Sequence, residues 1–272
     1  MRPSSEAPIF IQEFQVKVDD VRLAARRIVP KGAVASQGPV LVFLHEGLGC
    51  MRLWGDFPEV IAAASGLPAL LYDRQGHGLS DPLPSGDADV DYLRREALDV
   101  LPRVLSLCGV RDALFIGHSD GGTFALMLAA QQGTSVRGIV TEAAHVFVDE
   151  PTRAGIRRAV DAFGHGDLKS RLQKYHGPGV ETLFWRWAHT WLADDFSTWT
   201  IVPLLAQVRC PVLAVQGDGD EYGTLEQLSA ITTQVGGRAE AAVIPGCRHT
   251  PHQQARAVVA ERVLAFIRAI HL

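Results

Sequence analysis

Ser119 is the residue whose surroundings most clearly predict chemistry. It lies in the segment GHSDG at residues 117–121, which follows an apolar run and precedes a helical pattern. In that context G-x-S-x-G forms a sharp strand-to-helix turn that exposes the serine hydroxyl as a nucleophile. Glycines are needed at both ends because a side chain there would collide with the flanking strand or helix. The pattern is common by chance, so its meaning depends on partners elsewhere in the chain.

Ser119 requires a general base, because a free serine hydroxyl is a poor nucleophile at neutral pH. His249 follows the apolar run at residues 241–244, which predicts a strand. The carboxyl ends of parallel strands meet at one edge of a sheet, so we expect His249 to lie beside Ser119. Two other histidines remain alternatives for the base: His145 and His252.

The base in turn requires a carboxylate that orients its ring. An acidic loop follows the predicted strand at residues 212–215 and offers three candidates: Asp218, Asp220 and Glu221. Glu142, after an earlier predicted strand, is a more distant candidate. The serine comes first in the chain, the acidic loop second and the histidine loop third. Catalytic triads are known to occur in this chain order.

The elements that must position these loops alternate along the chain. Six short apolar runs are typical of strands buried on both faces of a parallel sheet: residues 40–44, 69–72, 113–116, 138–141, 212–215 and 241–244. Segments with helical periodicity separate many of them: residues 53–64, 92–107, 122–132, 225–235 and 255–270. Residues 10–29 indicate an opening β-hairpin. The alternation predicts an α/β fold with a mostly parallel, doubly wound sheet of about eight strands.

One long region departs from this alternation. Residues 145–203 contain no strand-like run, several helix-compatible pieces and four of the five tryptophans. Such an excursion between two strands predicts a helical insertion at the carboxyl edge of the sheet, where ligands bind. We therefore expect a core domain formed by residues 1–144 and 204–272, and a helical cap formed by residues 145–203.

The composition argues against several classes of partner and site. Hydrophobic residues make up 47% of the 272 residues, enough for a sizeable core, and the net charge of −4 argues against nucleic acid. The four cysteines are widely separated, so neither disulfides nor a thiolate metal site is expected. No segment resembles a signal peptide, and no apolar stretch is long enough for a transmembrane helix. These features predict a cytoplasmic protein with a small-molecule substrate and no metal, organic cofactor or membrane contact. A homodimer is left open.

Nearly the whole chain resembles the α/β-hydrolase family, and within it the capped branch of carboxylesterases, meta-cleavage-product C–C hydrolases and proline iminopeptidases. The resemblance rests on the strand order, the G-x-S-x-G turn, the acidic loop and the histidine loop. It implies that Ser119 is the nucleophile, that Asp220 in the strand-G-x-x-D pattern is the acid, and that His249 in G-x-x-H is the general base. Haloalkane dehalogenases and epoxide hydrolases of this fold carry aspartate at the turn, so Ser119 argues against both.

Residues 40–49, VLVFLHEGLG, are similar to the family's strand followed by His-Gly-x. The resemblance implies that the backbone N–H groups of Gly47 and Asp120 form an oxyanion hole, in which each donor contributes about 3 kcal/mol to the transition state. Glu46 stands where the family usually has glycine. Because of this departure, Leu48 remains an alternative to Gly47.

The substrate pocket is expected to include polar residues near the turn and aromatic residues from the insertion: His45, Glu46, His145, Trp185, Trp187, Trp191 and Tyr222. An indole offers a large apolar face with a polar edge, which suits a pocket wall. The alternative is that the tryptophans form the core of the cap itself. His45 is also expected to support, through a hydrogen bond, the loop that follows residues 40–44 and carries Gly47, which we call the oxyanion loop.

The two neighbours of Ser119 carry expectations of their own. His118 is expected to point into the core or the sheet edge. Asp120 either forms a local ion pair or hydrogen bond, or its charge selects against acidic substrates near the acyl centre. The segment 72–81 resembles the family and is expected to be structural, with a local charge pair between Asp73 and Arg74.

Together these residues predict a serine hydrolase that acts through an acyl-enzyme on a small to medium, largely apolar ester or thioester. The alternative is C–C bond hydrolysis of a vinylogous diketone acid. That reaction would require an anion clamp near the cap, for which Arg186 and Arg153 are positional candidates. A non-catalytic ligand-binding protein is a third alternative, although such a protein has no need of a serine, a histidine and an acid together.

Overall fold

The computed structural model describes residues 9–33, 38–86, 88–131 and 135–270. Residues 1–8, for which no signal peptide is expected, lie outside the described residues. Gln132, the last residue of the helix predicted at 122–132, also lies outside them.

Eight strands form one sheet among the described residues: β1 (Ile9–Val18), β2 (Val21–Pro30), β3 (Val40–Leu44), β4 (Ala69–Tyr72), β5 (Asp112–His118), β6 (Ser135–Glu142), β7 (Val212–Gly217) and β8 (Ala239–Ile244). Their spatial order is β1-β2-β4-β3-β5-β6-β7-β8. β2 pairs antiparallel with β1 and β4, and all other neighbours are parallel. The predicted α/β fold, with a mostly parallel sheet and an antiparallel N-terminal hairpin, is confirmed.

The helices occupy most of the connections between strands: α1 (Phe57–Ser65), α2 (Tyr92–Arg95), α3 (Leu101–Leu107), α4 (Asp120–Ala130), α5 (Glu150–His165), α6 (Leu168–His176), α7 (Val180–Leu192), α8 (Val202–Leu205), α9 (Leu225–Gln234), α10 (Pro251–Gln254) and α11 (Arg256–Ala269). No helix in the described ranges is both long and apolar enough to cross a membrane.

Two predicted helices are interrupted. The helix expected at residues 53–64 divides into a 3-10 turn (Met51–Trp54) and α1, because Gly55 between them adopts a φ of 60°. The helix expected at residues 92–107 contains a π-helical stretch (Glu96–Val100) just before Pro102. Proline has no N–H with which to continue the helical hydrogen-bond ladder.

The sheet divides the core into two layers, because successive side chains of a strand point to opposite faces. In β3, Leu41 and Phe43 pack into the layer that contains residues of α1 and α11. Val42 and Leu44 pack into the other layer, together with residues of α4. Because helices cover both faces, the central strands are apolar along their whole length rather than alternating.

Helices α5, α6 and α7 lie between β6 and β7 and pack against one another. The ring of Phe163 in α5 stacks on that of Phe184 in α7, with centroids 3.8 Å apart. Trp191, near the end of α7, is buried against Phe196 and Trp199. The aromatic residues of this segment therefore form part of its own core.

The turn between β5 and α4 places Ser119 at the carboxyl edge of the sheet. Ser119 adopts a φ of 52°, which costs free energy for a residue with a Cβ. A Cβ at Gly117 would overlap the backbone of Gly121, and a Cβ at Gly121 would overlap the carbonyl of Leu44. Both glycines are therefore required by close backbone packing.

We predict that Gly121→Ala lowers the free energy of unfolding by about 3 kcal/mol, because the added methyl group must push β3 and α4 apart. Gly164→Ala is the matched control. Gly164 lies near the end of α5 with open space around its Cα, and alanine there is expected to raise stability by up to about 1 kcal/mol. Urea denaturation of both variants measures the difference. Similar stabilities for the two variants would contradict the packing described for the turn.

Candidate active site

Ser119 lines a cleft of about 730 Å³ at the carboxyl edge of the sheet. Its backbone N–H donates to the carbonyl of Glu142 at the end of β6, with a distance of 2.7 Å. This bond fixes the turn against the neighbouring strand. His249, Asp120 and Gly47 line the same cleft, so the structure brings the predicted nucleophile, base and both oxyanion donors to one space.

His249 meets the acidic loop through Asp220. Its Nδ1 lies 2.8 Å from Asp220 Oδ1, and the Asp220 side chain is almost completely buried. Asp220 also accepts hydrogen bonds from the backbone N–H of Tyr222 (2.9 Å) and from Gln216 Nε2 (3.1 Å). Burial raises the pKa of Asp220, but the adjacent His249 and the backbone N–H of Tyr222 outweigh it and the pKa is lowered. The carboxylate is thus ionised and fixed where it can orient the imidazole.

The other two carboxylates of the acidic loop have different partners. Asp218 Oδ1 accepts a hydrogen bond from the N–H of Gly246 at 2.7 Å. Glu221 accepts from the backbone N–H of His249 at 3.1 Å and pairs with Arg248 at 3.4 Å. Asp218 therefore fixes the two loops to each other, and Glu221 holds the backbone of His249 rather than its ring.

The alternative bases have other partners too. His252 Nδ1 lies 3.0 Å from Glu142 Oε2, which also accepts from the His252 N–H at 2.9 Å, and both side chains are buried. His145 Nε2 lies 2.9 Å from the carbonyl of Tyr222. Burial lowers the pKa of His145, so its ring is neutral.

Within the described ranges, no group of three or more His, Cys, Asp or Glu side chains is arranged to hold a metal ion.

The predicted oxyanion donors, Gly47 and Asp120, line the cleft that contains Ser119. Asp120 is the first residue of α4, so its backbone N–H has no acceptor within the helix. Gly47 lies in the loop after β3, and a Cβ there would come within 2.6 Å of Trp187 Nε1. Trp187 therefore covers this loop closely and shields the space beside Ser119.

The carboxylate of Asp120 is held by local partners. The hydroxyl of Tyr92 donates to Asp120 Oδ2 at 2.8 Å, and Arg74 Nη1 lies 3.5 Å from the same oxygen. Trp191 Nε1 in turn donates to the Tyr92 hydroxyl at 2.7 Å. Two hypotheses were open for Asp120, local pairing and selection against acidic substrates. The structure favours local pairing, because Arg74 balances the charge of Asp120.

The expected pair between Asp73 and Arg74 is wrong. The Asp73 carboxylate accepts hydrogen bonds from the backbone N–H groups of Met51 (2.6 Å) and Leu79 (3.0 Å). Arg74 points the other way, towards Asp120 and the oxyanion loop. Adjacent residues in an extended segment face opposite sides, so sequence proximity did not indicate the pairing.

His45 supports the oxyanion loop through its ring nitrogens. Its Nδ1 lies 2.8 Å from the carbonyl of Glu46, and its Nε2 accepts a hydrogen bond from the Arg74 N–H at 3.2 Å. Arg74 Nη2 donates to the same Glu46 carbonyl at 2.8 Å. Burial lowers the pKa of His45 well below its usual value, so the ring is neutral and Nε2 is free to accept. His45 does not line the main cleft, which corrects its placement in the pocket.

The cleft contains five of the expected pocket residues: Glu46, His145, Trp187, Trp191 and Tyr222. Trp185 is a further correction, because it packs against Phe163 and Phe184 on the outer side of the segment and remains 37% exposed. Trp185 and Trp187 are two positions apart on one helix and therefore face different directions.

Sequence reasoning missed the cations of the cleft: Arg171, Lys174 and Arg248. Arg171 and Lys174 are three residues apart on α6 and share one face, a spacing that could have indicated them. The two arginines proposed as an anion clamp lie elsewhere. Arg186 pairs with Asp89 at 3.1 Å, and Arg153 donates to the carbonyls of Leu192 and Ala193 at the end of α7.

The sequence and the fold are similar to those of known proteins. The sequence profile described as "Alpha/beta hydrolase family" matches residues 41–262. The chain is similar to Serine hydrolase BPHL of Mus musculus, with 29% identity over 164 residues, which are 55% of this chain and 52% of that protein. It is also similar to 2-succinyl-6-hydroxy-2,4-cyclohexadiene-1-carboxylate synthase of Escherichia coli O9:H4 (strain HS), with 32% identity over 107 residues and 39% of each chain. The match thus spans about half of the mouse relative and less of the bacterial one.

Among solved structures, the fold is similar to that of a serine hydrolase involved in carbazole degradation, the CarC enzyme. The TM-score is 0.73 with 18% sequence identity, over 96% of this chain and 100% of that one. At this identity the likeness concerns the fold alone.

We predict that Tyr92→Phe lowers the free energy of unfolding by about 1–3 kcal/mol, because it leaves Asp120 and the indole of Trp191 each short of a buried partner. Tyr72→Phe is the matched control. The Tyr72 hydroxyl is buried and has no hydrogen-bond partner within the described ranges, so its removal is expected to cost nothing. Urea denaturation measures both, and equal losses of stability would refute the role given to the Tyr92 hydroxyl.

Proposed function

The chain belongs to the alpha/beta hydrolase family, and from that premise we propose that it is a serine hydrolase acting through Ser119, His249 and Asp220. The contact between His249 Nδ1 and the buried Asp220 carboxylate, at 2.8 Å, is the observation that carries the proposal. It orients the ring beside the cleft that also contains the strained Ser119. A binding protein has no use for a buried carboxylate that fixes an imidazole in the same cleft as a strained serine turn.

The reaction follows from these positions. His249 takes the proton of the Ser119 hydroxyl as the oxygen attacks the substrate carbonyl. Asp220 keeps the Nδ1 proton on the ring and stabilises the imidazolium that forms. The backbone N–H groups of Gly47 and Asp120 receive the oxyanion. His249 then returns the proton to the leaving group, and a water molecule, activated by the same ring, hydrolyses the acyl-enzyme.

The cleft suggests the substrate class. Apolar side chains from α5, α6 and α7 contribute to its walls: Ile156, Leu168, Leu172, Trp187 and Trp191. A volume of about 730 Å³ accommodates a small to medium molecule. We infer that residues 145–203 act as a cap that selects a largely apolar ester or thioester.

A second candidate is C–C bond hydrolysis of a diketone acid. The three cations of the cleft (Arg171, Lys174 and Arg248) favour it, because they could receive the carboxylate of such a substrate. The bacterial relative is likewise named for a product that carries a carboxylate. The ester reaction remains first, because the cations are exposed and two of them already pair with Asp167 and Glu221.

We predict that Asp220→Asn lowers kcat for p-nitrophenyl butyrate by about 10⁴-fold, because the amide no longer holds the required tautomer of His249. Asp218→Asn, the same change in the same loop, is expected to lower kcat less than about threefold because Asp218 contacts Gly246 and not the ring. Ser119→Ala is expected to abolish turnover. Comparable losses for Asp218→Asn and Asp220→Asn, or full activity of Ser119→Ala, would refute the proposed triad.

The cations of the cleft discriminate between the two candidates. If the substrate is anionic, Lys174→Met raises KM for a carboxylate-bearing ester about 2- to 5-fold and leaves KM for the neutral ester unchanged. Lys169→Met is the control, because Lys169 lies on the same helix but pairs with Glu181 outside the cleft. Turnover of a meta-cleavage dienoate, faster than that of any p-nitrophenyl ester, would favour C–C hydrolysis. No difference between the two lysine variants would remove the support that Lys174 gives.

A further inference from the structure

Two features of the sequence have no part in the proposed reaction. Glu46 stands where the resembled family usually has glycine, and His118 lies just before Ser119. The structure brings them together although they are 72 positions apart: His118 Nδ1 is 3.2 Å from Glu46 Oε2. This distance is that of an ion pair. The other ring nitrogen of His118, Nε2, lies 2.7 Å from the backbone carbonyl of His249.

The surrounding loop is shaped for this pair. A Cβ at Gly49 would overlap the carboxylate of Glu46, so glycine leaves the space into which that side chain folds. The His118 side chain is 1% exposed and that of Glu46 is 20% exposed. Trp54 packs edge-on against the His118 ring, with centroids 6.3 Å apart. Water therefore has little access to the imidazole.

Both ring nitrogens of His118 face acceptors, a carboxylate on one side and a carbonyl on the other. A neutral ring has one donor only, so this environment selects the doubly protonated form. Burial lowers the pKa of His118, but the Glu46 carboxylate outweighs it and raises the pKa to about 9. Burial likewise raises the pKa of Glu46, and the His118 cation outweighs it and lowers the pKa to about 2. The remaining titratable groups that face His118 are Glu142, His249 and His252.

The pair joins three parts of the proposed machinery. Glu46 directly precedes Gly47, His118 directly precedes Ser119, and the carbonyl held by His118 belongs to His249 itself. We propose that the Glu46–His118 ion pair is a positioning device that fixes the oxyanion loop, the nucleophile and the base relative to one another, and that it does so only while His118 is protonated. This inference rests on the proposed function of Ser119, His249 and Asp220.

Glu46→Gln tests the inference with little change in shape. We expect kcat for p-nitrophenyl butyrate to fall about 10- to 100-fold with KM changed less than about threefold, because small misplacements of reacting groups slow the chemical step. The wild-type kcat/KM is expected to fall as the pH rises through about 9, where His118 loses its proton. Without the Glu46 charge the proton is lost at lower pH, so this alkaline limb moves to lower pH in Glu46→Gln.

The matched control is Glu59→Gln, the same change in a half-buried ion pair with Arg26 at 3.4 Å, outside the cleft. It is expected to leave kcat and the alkaline limb unchanged. The kcat of His118→Gln and of the double variant Glu46→Gln/His118→Gln is measured as well. Because the two residues act as one unit, the double variant is expected to lose no more activity than His118→Gln alone. Additive losses, or an unmoved alkaline limb in Glu46→Gln, would overturn the inference.

NMR of the unaltered protein, labelled with ¹⁵N at histidine, tests the charge state even if a variant fails to fold. Both nitrogens of His118 are expected to carry protons at pH 7.5; a ring that titrates below pH 7 would overturn the inference. Wild-type and Ser119→Ala turnover are measured alongside. If the wild type hydrolyses no ester, the proposed function fails; if it does and Glu46→Gln behaves like Glu59→Gln, only the positioning role fails.

Discussion

The contact between the backbone of Gly121 and the carbonyl of Leu44 is the constraint on which the rest of the site depends. It allows the start of α4 to approach the end of β3 so closely that no Cβ fits between them. Without this approach the loop that carries Gly47 could not lie beside Ser119. The strained backbone of Ser119 is tolerated because the strands and helix around it determine its position.

Several buried charges surround this contact, and each has a partner. Arg74 meets Asp120 beside the turn, Glu46 meets His118 beneath it, and Asp220 meets His249 across the cleft. Removing one member of a buried pair is costly, because the other is left desolvated without compensation. The pairs therefore do more than add attraction: each one fixes the loop or helix end that carries it. Residues distant in the chain are held at the same edge of the sheet in this way.

The sequence predicted the sheet well because its strands are apolar runs with polar or glycine-rich ends. β3 and β4 begin and end where their apolar runs do. The pairing of charges could not be predicted in the same way. Arg74 lies next to Asp73 in the chain yet pairs with Asp120, because adjacent residues of an extended segment point to opposite sides. Periodicity carries no information about contacts between loops that meet only after the sheet has formed.

The same limit applies to the candidate site. Ser119, Asp220 and His249 could be proposed from order and spacing, since each follows a strand of the parallel sheet. Trp187 could not be distinguished from Trp185, because their difference depends on how α7 packs against the cleft.

Covalent trapping is the direct test of the proposed nucleophile: the protein is treated with a fluorophosphonate and its peptides are mapped by tandem mass spectrometry. If Ser119 is the nucleophile, one phosphonyl adduct forms, on Ser119; an unlabelled protein, or an adduct on another residue with Ser119 unmodified, would contradict its role.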